Sequence, residues 1–385
     1  MVVWNGGLRS LAGFASFAGM DNNQPPLVPA QSAPANPPAK NGWMWLLVAA
    51  LMLVSVCVMG GLIGLVMALA PTQMGGVDAD GEESYHRVVI RKGAGEDKIA
   101  VVDVSGLISS FSFDASGRGL VTGIREQLAR AGKDDDVKAV ILRVDSPGGE
   151  VLASDEIYKA IRAFQGKYHK PVVASMGSVA ASGGYYVSAP CRLIVANELT
   201  ITGSIGVIMQ GYNYRGLLDK IGVQPMVFKS GRNKDMLSST KLPTEITPEE
   251  KKMVQDLIDE TYLRFVAIVK EGRTEARKKN EKTVRALAAD WQEYADGRIL
   301  TGKQALQHGL VDKLGNFDTA VEETEKLVGL AEKAELIRYS VPFNFANFFR
   351  LVGEAKTGTV KVDLGVEVPK IRSGRLYFLS PFILD

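Results

Sequence analysis

Residues 139–175 read AVILRVDSPGGEVLASDEIYKAIRAFQGKYHKPVVAS. An apolar run at 139–144 leads through Ser-Pro-Gly-Gly into a helical pattern at 152–165. A second apolar run follows at 171–175. Continuous Val- and Ile-rich runs separated by a helix are typical of parallel strands covered on both faces. This stretch therefore predicts an α/β fold with a parallel sheet and flanking helices.

The same alternation continues on both sides of this unit and predicts one folded domain at 98–340. No internal repeat is visible in it. Further strands are predicted at 99–108, 193–196 and 224–228. Helices are predicted at 120–130, 212–221, 248–271, 301–310 and 319–330, and the charged segment 275–297 is also predicted to be helical.

Three segments outside this domain have a different composition. Residues 1–42 are rich in proline and predict a disordered tail, while the Gly- and acid-rich residues 71–97 predict a linker. The tail 341–385 ends in LYFLSPFILD. Its apolar end, 376–384, is expected to dock onto another subunit, the membrane or the domain's own groove, because soluble surfaces avoid such patches. A second apolar run, FNFANFF at 343–349, favours the contact with a subunit.

Residues 43–70 contain no charged side chain and predict a transmembrane anchor. As a helix this stretch would extend about 42 Å, which exceeds the roughly 30 Å hydrocarbon core of a bilayer. The alternative is a cleaved signal peptide, because residues 68–70 resemble a cleavage site. The length of the run and the following Pro71 favour the anchor.

The charges that flank this apolar stretch predict its orientation. Arg9 and Lys40 precede it, and no Lys or Arg follows it before Arg87. The positive-inside rule therefore places the N-terminus in the cytoplasm and the bulk of the chain outside the cell (inner) membrane.

The overall charge and the cysteines exclude several kinds of function. The chain has 45 basic and 43 acidic residues, for a net charge of +2. This balance argues against a nucleic-acid partner. Cys57 lies in the apolar stretch 43–70, whereas Cys191 lies in the predicted folded domain, so the two are not expected to form a disulfide. No CxxC motif occurs. The sequence thus predicts no disulfide, no CxxC metal site and no thiol-redox pair.

Glycine-rich junctions follow three of the predicted strands. In 146–149 (SPGG), paired glycines let backbone amides converge at a helix start, which suits an oxyanion, although the same residues also make an ordinary turn. In 176–186 (MGSVAASGGYY), Ser182 has small neighbours that leave room for a substrate carbonyl; alternatively it only caps a helix. The third junction is 202–207, TGSIGV.

A serine nucleophile needs a base. The three histidines, His86, His169 and His308, all lie outside these junctions, which disfavours a Ser-His-Asp triad. A lysine can take this role where burial favours its neutral form.

Four motifs in order, SPGG, SVAASGGYY, TGSIGV and KSGRNKD, resemble the signal peptide peptidase A (protease IV) family of Ser-Lys serine proteases. The resemblance covers about residues 99–330, and the single set of motifs resembles the short form of that family. It implies a Clp/crotonase-type fold, with Ser182 as nucleophile and Lys234 as general base. It also implies that Ser204 orients the lysine and that Gly149 supplies an oxyanion-hole amide; Gly183 is a second candidate donor.

The resemblance further implies a membrane-anchored endopeptidase that degrades cleaved signal peptides or other membrane-associated peptides and needs no metal or cofactor. Homo-oligomeric rings, with serine and lysine on adjacent subunits, are implied in the same way. One alternative is a Clp-class protease that cuts a specific membrane protein. A crotonase-like acyl-CoA enzyme would have no use for Ser182 or Lys234, and the intact pair argues against a membrane scaffold with a decayed site.

Overall fold

The computed structural model of the chain describes residues 47, 50–55, 57–58, 60, 85–110, 119–340 and 376–379. The chain divides into two units, 1–74 and 75–385, and all elements below belong to the second. The predicted tail 1–42 and most of the stretch 341–385 lie outside the described residues. Of the expected anchor 43–70, the described positions are helical. No helix among the described residues is both long and apolar enough to span a bilayer.

A nine-stranded sheet forms the centre of the second unit. Its strands are β1 (His86–Arg91), β2 (Lys98–Ser105), β3 (Val137–Ser146), β5 (Val172–Ala181), β6 (Leu193–Ala196), β7 (Ile201–Gly203), β8 (Ile299–Thr301), β9 (Lys313–Leu314) and β10 (Glu335–Ser340). The order is β1-β10-β2-β3-β5-β6-β9, with β7 and β8 beside the end of β5. A separate two-stranded sheet pairs β4 (Gly148–Glu150) with β11 (Tyr377–Leu379).

Helices cover both faces of this sheet because its central strands are apolar on both sides. The helices are α1 (Leu120–Lys133), α2 (Val151–Tyr168), α3 (Gly183–Ser188), α4 (Arg215–Lys220), α5 (Pro248–Lys279), α6 (Gly302–Gln307) and α7 (Phe317–Val328). Along β3, Val140 and Leu142 face the larger core, whereas Ile141 packs with Val321 of α7 on the other side. This alternation is the two-residue period of a strand.

The predicted parallel sheet is confirmed for its centre, where β2, β3, β5 and β6 pair in parallel. It is wrong at two places: β1 runs antiparallel to β10, and β8 runs antiparallel to β7, so the sheet is mixed. The linker 71–97 also contains β1. Because Val88, Val89 and Ile90 stay largely exposed, no burial pattern distinguishes β1 from a linker.

Between 212 and 297 one local prediction is wrong and two are confirmed only in part. Residues 224–228 form no strand and lie exposed; Phe228 is 89% exposed. Strand propensity has no effect without a sheet partner to pack against. The helix predicted at 212–221 shortens to α4. In the region 275–297, α5 ends at Lys279 and only a 3₁₀ turn at Trp291–Tyr294 follows.

A buried ion pair fixes the second half of α5 to the sheet. Arg273 of α5 pairs with Asp312, and both side chains are completely buried. Arg273 Nη1 also donates to the carbonyl of Cys191 at 3.0 Å. The Asp312 carboxylate accepts from the amides of Ile194 and Arg285, at 2.8 and 2.9 Å. The pair therefore ties α5, β6 and the loop before β9 together.

We expect Asp312→Ala to lower the free energy of unfolding by about 3–5 kcal/mol, because it leaves a buried guanidinium without its counter-charge. Denaturant titration would measure this change. Asp256→Ala removes the exposed partner of Lys252 and should change stability by no more than about 0.5 kcal/mol. Equal effects of the two variants would contradict the assigned role of the buried pair.

Candidate active site

Ser182 lies at a sharp turn between β5 and α3. Its backbone φ is 54°, an uncommon value for a residue other than glycine. The Ser182 amide donates to the carbonyl of Gly203 at 2.8 Å, and the Ser182 carbonyl accepts from the Tyr186 amide at 2.8 Å. Both ends of the turn are thus fixed, one to β7 and the other to the first turn of α3.

The Ser182 hydroxyl is buried and has no hydrogen-bond partner. Leaving a buried polar group unsatisfied costs about 1–3 kcal/mol. Backbone strain and an unpaired hydroxyl at one residue are typical of functional sites, where the surroundings hold a reactive group in place. The cost is consistent with a hydroxyl held ready for a base and a substrate.

Two glycine-rich junctions meet beside Ser182. A Cβ atom at Gly183 would lie 3.1 Å from both the Gly148 Cα and the Gly149 amide nitrogen. Gly148 has a φ of 107°, which favours glycine. Its carbonyl accepts from the amide of Ile108 at 2.8 Å. The predicted oxyanion donors Gly149 and Gly183 are therefore brought together, next to the hydroxyl that would attack.

The strand β11 from the C-terminal tail lies in the cleft in front of these glycines. It runs antiparallel to β4, with Phe378 opposite Gly149. On its other side, Tyr377 exchanges two hydrogen bonds with Ile208, each of 3.1 Å. The cleft therefore holds this segment of the tail as an added strand, bonded on both sides. The tail was expected to dock, and its residues 376–379 do so in the domain's own groove; residues 380–384 lie outside the described residues.

The side chain of Phe378 fills an aromatic pocket. Its ring centroid lies 4.7 Å from that of Tyr186 and 4.7 Å from that of Phe265 on α5. The Tyr186 hydroxyl donates to Asp155 Oδ1 at 2.8 Å, and burial, with this bond, raises the pKa of Tyr186. Neither Tyr186 nor Phe265 has a role predicted from the sequence. The aromatic pair in the motif GGYY could have indicated Tyr186. No feature of the sequence distinguishes Phe265 from the other apolar residues of its helix.

Ser204 follows β7 and lies beside Ser182. The register pairs Ala181 with Gly203, so the two serines end adjacent parallel strands. Ser204 lines a cavity of about 370 Å³ together with Ile208, Tyr262, Asp259 and Asp296, among others. A hydrogen bond from Arg298 lowers the pKa of Asp296 to about 2, so this carboxylate stays charged.

Lys234 is the one predicted site residue that is not brought to the others. It lies exposed in a turn, where its amide donates to the Gly231 carbonyl at 3.2 Å. It is not bonded to Ser182, whose hydroxyl has no partner. Neighbouring lysines are paired, Lys229 with Asp235 at 2.7 Å and Lys241 with Glu250. In the described ranges, no three His, Cys, Asp or Glu side chains are grouped to hold a metal ion.

Comparison with known proteins identifies similar chains. The profile described as Peptidase family S49 matches residues 165–331, and the one described as Clp protease matches residues 114–198. A relative from Synechocystis, named as a protease, is 42% identical over 62% of this chain and 78% of its own length. A relative from Enterococcus faecium that carries the name signal peptide peptidase SppA is 37% identical, over 67% and 72%. Protease 4 of Haemophilus influenzae is 35% identical over 68% of this chain and 40% of the relative.

Deleting residues 375–385 should raise the rate of hydrolysis of short peptides, because it removes the strand that competes for the cleft. Size-exclusion chromatography of the same variant should be unchanged, since β11 binds within its own chain. Unchanged hydrolysis together with smaller particles would instead show that the tail holds subunits together.

Proposed function

This chain belongs to peptidase family S49, a family of serine proteases, and on that basis we propose that it is a membrane-anchored endopeptidase with a Ser-Lys dyad. Ser182 is the nucleophile and Lys234 is the general base in this proposal. The supporting observation is the buried, unpaired hydroxyl of Ser182 next to two glycine amides and a cleft that already binds a peptide strand. An acyl-CoA substrate finds no comparable support.

The proposed reaction is acyl transfer to Ser182 followed by hydrolysis. Ser182 Oγ attacks the peptide carbonyl carbon while its proton passes to the neutral amine of Lys234. The amides of Gly149 and Gly183 donate to the oxyanion that forms. The C–N bond then breaks, and the Lys234 ammonium returns the proton to the leaving amine. Water attacks the acyl-enzyme with Lys234 again as base, which releases the new carboxyl group and restores Ser182.

The base in this scheme comes from a second copy of the chain. Within one chain, Lys234 lies exposed and makes no bond to Ser182. The segment around it presents a large apolar surface, including Tyr212, Leu217, Met226 and Phe228. Soluble monomers rarely leave such a surface uncovered. A head-to-tail contact between copies would cover it and close into a ring.

The cavity beside Ser204 is a suitable place for the incoming lysine. It opens next to Ser182, and the carboxylates of Asp259 and Asp296 line it. The Asp259 carboxylate would attract a lysine during assembly, whereas the charge of Asp296 is already balanced by Arg298. Ser204, which the family resemblance assigns to orient the lysine, would meet its amine there.

The proposed substrates are peptides left in or near the membrane, such as cleaved signal peptides. The name of the Enterococcus faecium relative supports this substrate class. The uncharged stretch 43–70 and the charges that flank it support an anchor in the cell membrane, with a cytoplasmic N-terminus and an extracytoplasmic catalytic domain. Such a location would keep the cleft close to these peptides.

Ser182→Ala should lower kcat/KM for peptide hydrolysis by at least about a thousandfold, because it removes the nucleophile. Ser178→Ala is the matched control, since Ser178 lies exposed on the same strand, and it should retain most activity. Covalent labelling with a fluorophosphonate, followed by mass spectrometry, should modify Ser182. Near wild-type hydrolysis by the Ser182 variant would refute the assignment.

Co-expression of Ser182→Ala with Lys234→Ala tests whether the dyad is shared between copies. Each variant alone should be inactive. In a randomly mixed head-to-tail ring, about a quarter of the sites combine an intact serine with an intact lysine, so about that fraction of activity should return. If the dyad instead forms within one chain, the co-expressed sample should be as inactive as each variant alone.

A further inference from the structure

The docked tail shows in which register a peptide lies in the cleft. The Val151 amide donates to the Leu376 carbonyl at 3.3 Å, and hydrogen-bonded pairs alternate along an antiparallel ladder. By this alternation the next such pair is Phe378 with Gly149, so the register places the Gly149 amide opposite the Phe378 carbonyl. That amide is the proposed oxyanion donor. The Phe378 carbonyl thus occupies the position of a carbonyl about to be attacked.

The geometry around Gly148 supports the same register. A Cβ atom at Gly148 would lie 2.1 Å from the Phe378 carbonyl oxygen and 2.7 Å from the Gly183 amide nitrogen. The Phe378 oxygen therefore lies close to both junctions that carry the proposed donors. Residue 378 corresponds to the substrate residue that supplies the acyl group.

From this register we infer that the cleft selects a bulky aromatic side chain immediately before the cleaved bond, and that Tyr186 and Phe265 determine this selectivity. The inference rests on the proposed function. The rings of Tyr186 and Phe265 leave room between them for a complete phenyl ring, that of Phe378. Phe378 is fully buried in it.

The aromatic pocket lies next to Ser182, and contacts with neighbouring residues hold its two side chains in place. Tyr186 lies one helical turn after Ser182, and its hydroxyl is fixed by Asp155. Phe265 lies on the part of α5 that packs against the sheet, two turns before the buried Arg273. The rings of Tyr186 and Phe265 lie 4.9 Å apart, edge to face. A small side chain would leave this space unfilled and lose the dispersion contacts of its lining.

The test uses the full-length protein and three peptides that differ only in Phe, Leu or Ala at one position. Mass spectrometry identifies the cleaved bond, and kcat/KM is measured for each peptide. We expect cleavage directly after the varied residue and a preference for Phe over Ala of at least about 10-fold. Because the tail competes equally with every peptide, it leaves the ratio of two kcat/KM values unchanged.

Two substitutions at Phe265 should move this ratio in a defined way. Phe265→Ala enlarges the pocket and removes a ring contact, so the Phe-to-Ala ratio should fall by about 10-fold. Phe265→Trp fills the pocket, so the preference should shift toward Ala. Leu263→Ala is the matched control on the same helix, with Leu263 64% exposed, and it should leave the ratio unchanged.

Separate outcomes distinguish failure of this inference from failure of the proposed function. If no peptide is cut and the fluorophosphonate leaves Ser182 unmodified, the proposed function is wrong. If peptides are cut at equal rates, or at a bond that does not follow the varied residue, the pocket inference is wrong. Should Phe265→Ala fail to fold, Phe265→Trp decides: a ratio within twofold of wild type, in a protein whose Ser182 is still labelled, overturns the inference.

Discussion

Close contact between two backbone segments, at Gly148–Gly149 and at Gly183, is the constraint on which the rest of the structure depends. A Cβ atom at Gly148 would lie 2.7 Å from the Gly183 amide nitrogen, so no side chain fits there. The two segments follow the neighbouring parallel strands β3 and β5. Strands that pair in parallel end at the same edge of a sheet, and only this order brings the two turns together. The α/β architecture is thus a requirement of the site.

Helix α5 connects the stability of the domain to the shape of its cleft. Its C-terminal half is tied to the sheet by Arg273 and Asp312, and the same half carries Phe265 into the core. Its N-terminal half is largely exposed, with Leu257 and Leu263 facing outward. Helix α5 therefore lines the aromatic pocket with its C-terminal half and leaves its N-terminal half exposed for contacts with other molecules.

The sequence predicted the elements whose burial is local and regular. The runs that became β3, β5 and β6 are apolar over their whole length, and the glycine junctions after them carry the residues Gly149, Gly183, Ser182 and Ser204 that the structure groups. The strands that could not be predicted pair with segments that are far away in the sequence. Pairing of β1 with β10 joins residues far apart in the chain, and the partner of β4 comes from the C-terminal tail.

Residues around Lys234 show a second kind of limit. The run 224–228 has strand-forming residues, yet it pairs with no strand in the part of the chain that the structure describes, and most of its side chains stay exposed. A pattern of apolar residues indicates that a surface will be covered but does not say by which chain. The sequence could therefore indicate Lys234 as a base without indicating the contacts that would bury it.

The strand β11 binds a cleft on its own chain, and this has a consequence for how occupancy responds to concentration. A bound inhibitor that is a separate molecule dissociates when the solution is diluted. An attached segment keeps a constant effective concentration near its site, however dilute the protein is. Dilution therefore cannot empty the cleft, whereas a second peptide can displace the strand by mass action. Occupancy of the cleft by β11 should therefore depend on the concentration of competing peptide and not on the concentration of the protein.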